Sequence, residues 1–259
     1  MIQVENIIKR ILSIKLFLAS FLLTVLSFNF LDISIFKATR SMSSLIFSFF
    51  KDFIDPLSDI IDPFNIAVCC LIILILILNI KNSLKEPKKL KILSQKIGYK
   101  YEIILESLNY YIEMMKHIII SIICAGIVCH ILKYVLGVSR PKYFFLEGYQ
   151  RLDYFNIEHK VNSLPSGHAQ AAFTLAILFL IYVNKYTFYV LTLASLMAIS
   201  RIFMSMHFPS DLILGAYIGV FVPTLIFKIY FFEKIRSFNK DNIFTFSSLF
   251  KLIYLKRLV

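Results

Sequence analysis

The sequence predicts an all-α integral membrane protein, a six-transmembrane-helix bundle with interfacial helices. Three observations predict it. Hydrophobic residues make up 58% of the 259-residue chain and charged residues only 17%, with a mean hydropathy of +0.75; soluble domains run nearer about 45–50% apolar and about 25% charged. Six apolar runs approach the length of about 20 residues that a helix needs to cross a bilayer. Basic residues gather at the ends of those runs, where topology and anionic headgroups favour them. The net charge of +12 therefore reads as a membrane signature. No nucleic-acid motif accompanies it.

Taken in order, residues 1–11 carry Lys9 and Arg10 and lead into the first apolar run, 11–31. That run is long for a signal peptide and lacks a small-x-small cleavage site, so it is expected to be the first span, with Lys15 snorkelling. Residues 32–63 mix aromatic and aliphatic residues with five aspartates and three basic residues. No part of this stretch is clean enough to span, and interfacial amphipathic helices are expected. The second span is 64–80. A basic stretch with seven lysines follows, Lys81 to Lys100. The third span is expected from His117 to Leu136, ended by Gly137 and Pro141. A polar, aromatic loop covers 138–167. The fourth span runs from His168 to Val183, a turn falls at Asn184-Lys185, and the fifth span is Thr187–Phe203. Pro209 opens the sixth, which runs to about residue 231. In the basic tail 233–259, the segment 244–255 is expected to lie along the membrane surface.

An even number of spans puts both termini on one side. The lysines of 81–100 and the basic tail assign that side to the cytosol. Loops 32–63, 138–167 and 204–210 then face outward. Neither a repeat nor a separate soluble domain interrupts the chain, which is expected to be one membrane domain over 1–259. Cys69, Cys70, Cys124 and Cys129 all lie in apolar runs without C-x-x-C spacing. They read as small buried hydrophobes, with no disulfide and no metal site expected.

Three short motifs fall at the outward ends of the expected spans: Lys133-x6-Arg140-Pro141, Pro165-Ser166-Gly167-His168, and Ser200-Arg201-x5-His207-x3-Asp211. Each alone has a plain structural reading. Lys133 is a snorkelling lysine, Pro165-Ser166 a helix N-cap, and His207 with Asp211 a structural hydrogen bond. Together they set three cations, two histidines and a carboxylate at one membrane surface, which marks a functional site. Lys133 and Arg140 are about two helical turns apart and share a face if the helix continues past Gly137. With Arg201 they offer three fixed positive charges suited to phosphate oxygens. Ser166 and Gly167 open a helix whose free N–H groups form an anion site. Pro209 in the first helical turn would let Asp211 reach back to His207. A carboxylate on one ring nitrogen leaves the other free to attack.

The pattern K-x6-RP, PSGH, SR-x5-H-x3-D resembles the type 2 phosphatidic acid phosphatase superfamily, or lipid phosphate phosphatases, without a departure at any position. The resemblance covers 133–211. It implies that His207 is a nucleophile forming a phosphohistidine, that Asp211 orients it, and that His168 protonates the leaving oxygen. It also implies that Lys133, Arg140, Ser166, Gly167 and Arg201 hold the phosphoryl oxygens. The implied reaction is hydrolysis of a lipid phosphate monoester or diphosphate. The residues themselves do not say which histidine attacks.

No cofactor is expected, because three cations can supply the charge and the motifs contain one carboxylate, too few for a hard cation. Asp52, Asp55, Asp59 and Asp62 recur at roughly helical spacing and read as a solvated face. The implied partners are a membrane lipid phosphate and the bilayer, with no nucleic acid and no obligate protein partner. Substrate candidates are phosphatidic acid, phosphatidylglycerol phosphate, an isoprenyl diphosphate and a lipid A phosphate. Loop 143–165, with its Tyr and Phe residues and Arg151, either shapes that choice or caps the fold. The rivals are a phosphotransferase using the same phosphohistidine and a non-catalytic lipid-phosphate binding or transport protein. The expected location is a bacterial inner membrane, with the site on the outer side.

Overall fold

A computed structural model describes residues 2–60, 62–183 and 185–256. The described residues are helical apart from turns, a loop over 147–166 that holds only a single 3-10 turn, and one isolated antiparallel bridge, Val138 to Leu152. The turn expected at Asn184-Lys185 and the basic Arg257 fall partly or wholly outside these residues. Numbered along the chain, the helices begin with α1 (Ile2–Ile11), α2 (Ile14–Arg40), α3 (residues 44–60), α4 (Pro63–Ser83) and α5 (Pro87–Ile97). They continue with α6 (Tyr101–Leu136), α7 (Pro141–Leu146), α8 (Gly167–Val183), α9 (Thr187–Phe203), α10 (Pro209–Ser237) and α11 (Phe246–Lys256). Two compact units emerge: Met1–Asn65 with Ser121–Leu225, and Ile66–Ile120 with Ile226–Val259.

Four stretches are long and apolar enough to cross a membrane: Ile14–Arg40, Ser44–Ser83, Tyr101–Leu136 and Pro209–Ser237. The chain is a membrane protein. Helices α8 and α9 are equally apolar but 17 residues long, short of the length expected of a span. The segment 32–63 is helical, as expected of it. Its first part continues α2 to Arg40, and its remainder forms α3 and leads into α4. Three of the charged residues that break the apolar pattern, Asp32, Arg40 and Asp55, have protein partners. Ser27 Oγ donates to Asp32 Oδ1 (3.0 Å), and Arg40 Nη2 donates to the carbonyls of Ile202 and Phe203, both at 2.7 Å.

In the first unit, α2 starts at Ser13, whose Oγ accepts from the Leu16 N–H (3.3 Å). Both α2 and α3 contain a π turn, Ser27–Leu31 and Phe49–Ile54, and each π turn ends directly before an aspartate, Asp32 and Asp55. Small residues let the helices close up: Ala172, Ala176 and Ala194 of α8 and α9, together with Met197, pack with Phe50 and Ile54 of α3. Phe50 stacks on Phe203 at 4.2 Å. The α8–α10 contact is tighter still. A Cβ on Gly215 would lie 2.5 Å from the Ser166 carbonyl oxygen, and one on Gly219 would lie 2.4 Å from that of Gln170. This is a small-xxx-small seam of the kind that brings membrane helix backbones together.

In the second unit, α5 occupies part of the expected basic loop. Pro87 opens it and Gly98, at φ +80°, closes it, the residues that suit each end. Helix α6 begins at Tyr101, well before the expected His117, because its early polar residues hold the tail. Glu106 accepts from the Asn239 N–H (2.9 Å) and Ser107 Oγ from the Phe244 N–H (3.1 Å). Tyr111 donates to the Phe244 carbonyl (2.7 Å). The tail helix α11 covers most of the segment expected along the membrane surface. It packs against α5, burying Leu249 and Leu252 while Phe250 and Tyr254 stay exposed.

Candidate active site

All eight sequence-predicted residues lie in the first unit. The first motif is assembled by a turn and not by helix periodicity. Helix α6 stops at Leu136, and Gly137 takes φ +54° with its Cα so close to the Asp153 carbonyl that any Cβ would collide with it. Residues 138–140 then pair with neighbouring chain: Ser139 N donates to the Arg151 carbonyl (3.2 Å), Arg140 N to the Lys160 carbonyl (3.0 Å), and Ser163 N to the Val138 carbonyl (2.8 Å). Arg140 thus enters from the loop, while Lys133 enters from the last turn of α6. Lys133 Nζ donates to the Asn162 carbonyl (3.0 Å) and Arg140 Nε to the His159 carbonyl (3.0 Å). Both cations are buried.

The second motif caps α8. Ser166 Oγ accepts from the Ala169 N–H (3.3 Å), so the N-cap reading of this serine holds. Its own N–H donates to the Asp211 carbonyl (2.9 Å), joining the second motif directly to the third. A Cβ on Gly167 would stand 3.9 Å from the Lys133 Cε. His168 is exposed.

The third motif turns back on itself after α9. The N–H groups of Met206 and His207 both donate to the Arg201 carbonyl (3.0 and 3.3 Å), which holds His207 beside Arg201. Pro209 starts α10, and Asp211 reaches back as expected. Its Oδ2 accepts from the Phe208 N–H (2.7 Å) and from Ser163 Oγ (2.5 Å) and lies 3.4 Å from His207 Nδ1. His207 and Asp211 are buried, and Asp211 Oδ1 has no hydrogen-bond partner. Burial holds the His207 pKa well below the ordinary histidine value, and the charges of Lys133, Arg140, His168 and Arg201 push it further down. Both effects disfavour protonation of this imidazole.

Several residues that the motifs do not contain complete the site. Ser163 bridges Asp211 and His207, its Oγ 3.3 Å from His207 Nδ1; nothing in the sequence separates it from an ordinary loop serine. Asp32 takes the N–H and Oγ of Ser210 (2.8 and 2.6 Å) and pairs with Arg151. The Arg151 guanidinium lies 3.7 Å from the centre of the Phe208 ring, which makes Arg151 a brace behind the His207 loop. A charge inside an apolar run was the available signal for Asp32. Asp55 pairs with Arg201, so the expected solvated face is only partly one: Asp52 and Asp59 are exposed, Asp55 is not. Asp59 sits close enough to His168 for their charges to interact. Among the described residues, no three His, Cys, Asp or Glu side chains are grouped closely enough to hold a metal ion.

Comparison with known proteins bears on the same region. The family model "PAP2 superfamily" matches residues 115–235. The chain is 31% identical over 112 residues to the bacitracin transport permease protein BcrC of Bacillus licheniformis, which covers 42% of this chain and 54% of that protein. It is 24% identical over 109 residues to the lipid A 1-phosphatase of Rhizobium johnstonii, covering 42% of this chain and 45% of that one. A lipid A 1-phosphatase of Rhizobium etli is 25% identical over 99 residues, 38% of this chain and 43% of the relative. The chain spans about half the length of the curated relatives it matches. No solved structure matches it. The matched segment, residues 115–235, holds all eight motif residues and is similar to the PAP2 superfamily.

Proposed function

We propose that this protein hydrolyses a lipid phosphate monoester or diphosphate through a phosphohistidine on His207, without a metal. The observation that carries the proposal is a buried His207 whose Nδ1 faces Asp211 at 3.4 Å and whose backbone N–H is held by the Arg201 carbonyl, with the charges of Lys133, Arg140 and Arg201 acting on its imidazole. With Nδ1 turned to the carboxylate, Nε2 holds the free lone pair. In the first step Nε2 attacks phosphorus, the bond from phosphorus to the lipid oxygen breaks, and His168 gives that oxygen a proton. In the second step His168 takes a proton from water, the resulting oxygen attacks phosphorus, and the P–N bond breaks to release inorganic phosphate. Asp211 stabilises the imidazole as it becomes cationic. Its present 3.4 Å separation is longer than a good hydrogen bond, and tightening on substrate binding is common at such sites. Lys133, Arg140 and Arg201 neutralise the charge spreading over the equatorial oxygens, the main catalytic contribution in phosphoryl transfer.

The substrate class follows from the setting. A membrane-embedded chain with an exposed His168 suits a phosphate at the interface whose tails stay in the bilayer. The relatives named as lipid A 1-phosphatases favour a lipid headgroup phosphate. We read α8 and α9 as the fourth and fifth of six spans. Their 17 residues reach about 26 Å at 1.5 Å per residue, and local thinning accommodates a span slightly short of the roughly 30 Å core. The basic 81–100 segment and tail assign both termini to the cytosol, and the site to the outer face of a bacterial inner membrane.

The test is purified protein in detergent with EDTA, assayed against phosphatidic acid, phosphatidylglycerol phosphate, an isoprenyl diphosphate and a lipid A phosphate. Release of inorganic phosphate together with an acid-labile phosphoenzyme is the expected result. Lipid binding without either product would leave a binding or transport protein. Transfer to another alcohol would make it a phosphotransferase.

A further inference from the structure

Arg201 is the one motif cation whose guanidinium meets a carboxylate, Asp55, and the pair is largely enclosed: the two side chains are 8% and 24% exposed. Asp55 takes only one corner of the guanidinium, Nη1. Nε, on the opposite side of the fork, is buried and has no hydrogen-bond partner among the described residues. A guanidinium has two edges that grip an oxyanion bidentately. With Nη1 engaged, the edge left over is the one formed by Nε and Nη2.

The location of Asp55 is not accidental to the fold. The π turn Phe49–Ile54 ends directly before it. Phe50 and Ile54 on that turn are locked into the core, Phe50 by stacking on Phe203, two residues from Arg201. Arg40 closes the end of α9 by binding the Ile202 and Phe203 carbonyls. Two elements outside the motif region thus fix the helix end that bears Arg201, and one of them supplies its counter-charge. π turns of this kind are frequent where a side chain must be re-aimed at a functional site.

We infer that Asp55 is a positioning residue: by holding Nη1 of Arg201 it aims the Nε edge of the guanidinium at the phosphoryl group of the substrate. The inference rests on the phosphatase reading above. It also makes a prediction of sign that a competing role would reverse. A carboxylate that merely occupied Arg201 until phosphate displaced it would weaken phosphate binding, and its removal would tighten it. A carboxylate that aims Arg201 strengthens binding, and its removal weakens it.

The experiment measures the affinity of inorganic phosphate, as a competitive inhibitor and by calorimetry, for the full-length protein in detergent. The wild type is compared with Asp55→Asn, Arg201→Ala and the double variant. The expected result for Asp55→Asn is affinity weakened about tenfold, the scale of one charge-assisted hydrogen bond, with the melting temperature held within a few degrees. In the Arg201→Ala background the same substitution should change nothing further. Asp55→Glu, which keeps the charge, should recover part of the loss. Unchanged or tighter phosphate binding in Asp55→Asn overturns the inference, as does an equal effect with and without Arg201. A wild-type protein that neither binds phosphate nor releases it from any lipid overturns the phosphatase reading, and this inference with it. Wild-type turnover with a null effect at Asp55 overturns only the inference.

Discussion

Ser163 and His207 share one carboxylate oxygen: Oδ2 of Asp211 accepts from Ser163 Oγ at 2.5 Å and faces His207 Nδ1 at 3.4 Å. The serine therefore holds the carboxylate at the imidazole, together with the Phe208 N–H. Ser163→Ala removes one of the two donors to a buried oxygen and is expected to cost about 1–3 kcal/mol of stability. Turnover should fall, but by less than in Asp211→Ala, where the charge itself is lost. Thermal melting and single-turnover kinetics on both variants check the order.

The two histidines should separate by leaving group. His207→Ala is expected to abolish turnover and the covalent intermediate together. His168→Ala should slow hydrolysis of an unactivated lipid phosphate by about 10²–10⁴-fold and slow an aryl phosphate far less, because its leaving oxygen needs no proton. Equal slowing of both substrates would remove His168 from the acid role.

The acidic limb of the pH profile should lie below the ordinary histidine range. His207 attacks only when neutral, and burial with four nearby cationic groups depresses its pKa. It therefore stays competent as pH falls through about 6.5, the usual histidine value, and loses activity only at lower pH. Lys133→Met removes one of the charges that oppose protonation. The His207 pKa then rises and the acidic limb moves to higher pH, whatever happens to the maximal rate. A profile of kcat/KM against pH for wild type and variant reads both.

The seam between α8 and α10 should tolerate no side chain. Gly215→Ala and Gly219→Ala each drive a methyl group into a backbone carbonyl, and overpacking of this kind costs about 1–3 kcal/mol or more. Because Ser166 sits on that seam, activity should fall with stability. Gly167→Ala has its nearest neighbour at 3.9 Å, so it should leave the melting temperature nearly unchanged. Melting curves in detergent discriminate the three.

Topology can be read with reporters. A tag at Ser94, in the lysine-rich segment, is expected to report the cytosol, and one at Gly148 the exterior. The opposite pattern would place the site in the cytosol.

The candidate site residues were legible because they sit in short, ordered motifs. The fold brings His207, Arg201 and Asp211 together within one turn and ties Ser166 to them through the Asp211 carbonyl. What supports them was less legible. Ser163, Asp32 and Asp55 act across long separations in sequence, where only the packing of helices decides which polar residue meets which. Their charges even obscured the helices that carry them, since Asp32, Arg40 and Asp55 break the apolar pattern yet are satisfied by protein partners. Lys133 and Arg140 were placed together for a reason that the structure replaces. Helical spacing suggested a shared face, whereas the left-handed turn at Gly137 and the pairing of 138–140 supply the contact.

The two π turns each spend one backbone residue more than an α-helical turn would, and each does so immediately before an aspartate that reaches the site. Deleting a single residue from 27–31 or 49–54 would restore an ordinary α-helix, with its hydrophobic character and length almost untouched. The helix on either side would keep its face, because the π turn absorbs its extra residue within one turn; what would be lost is the local bulge that directly precedes Asp32 or Asp55. Either aspartate would then lose the backbone geometry that places it, without having been substituted. In these two windows residue count is itself a functional property. An insertion or deletion that looks harmless in a stretch of phenylalanine, isoleucine and leucine is there as consequential as replacing a charge.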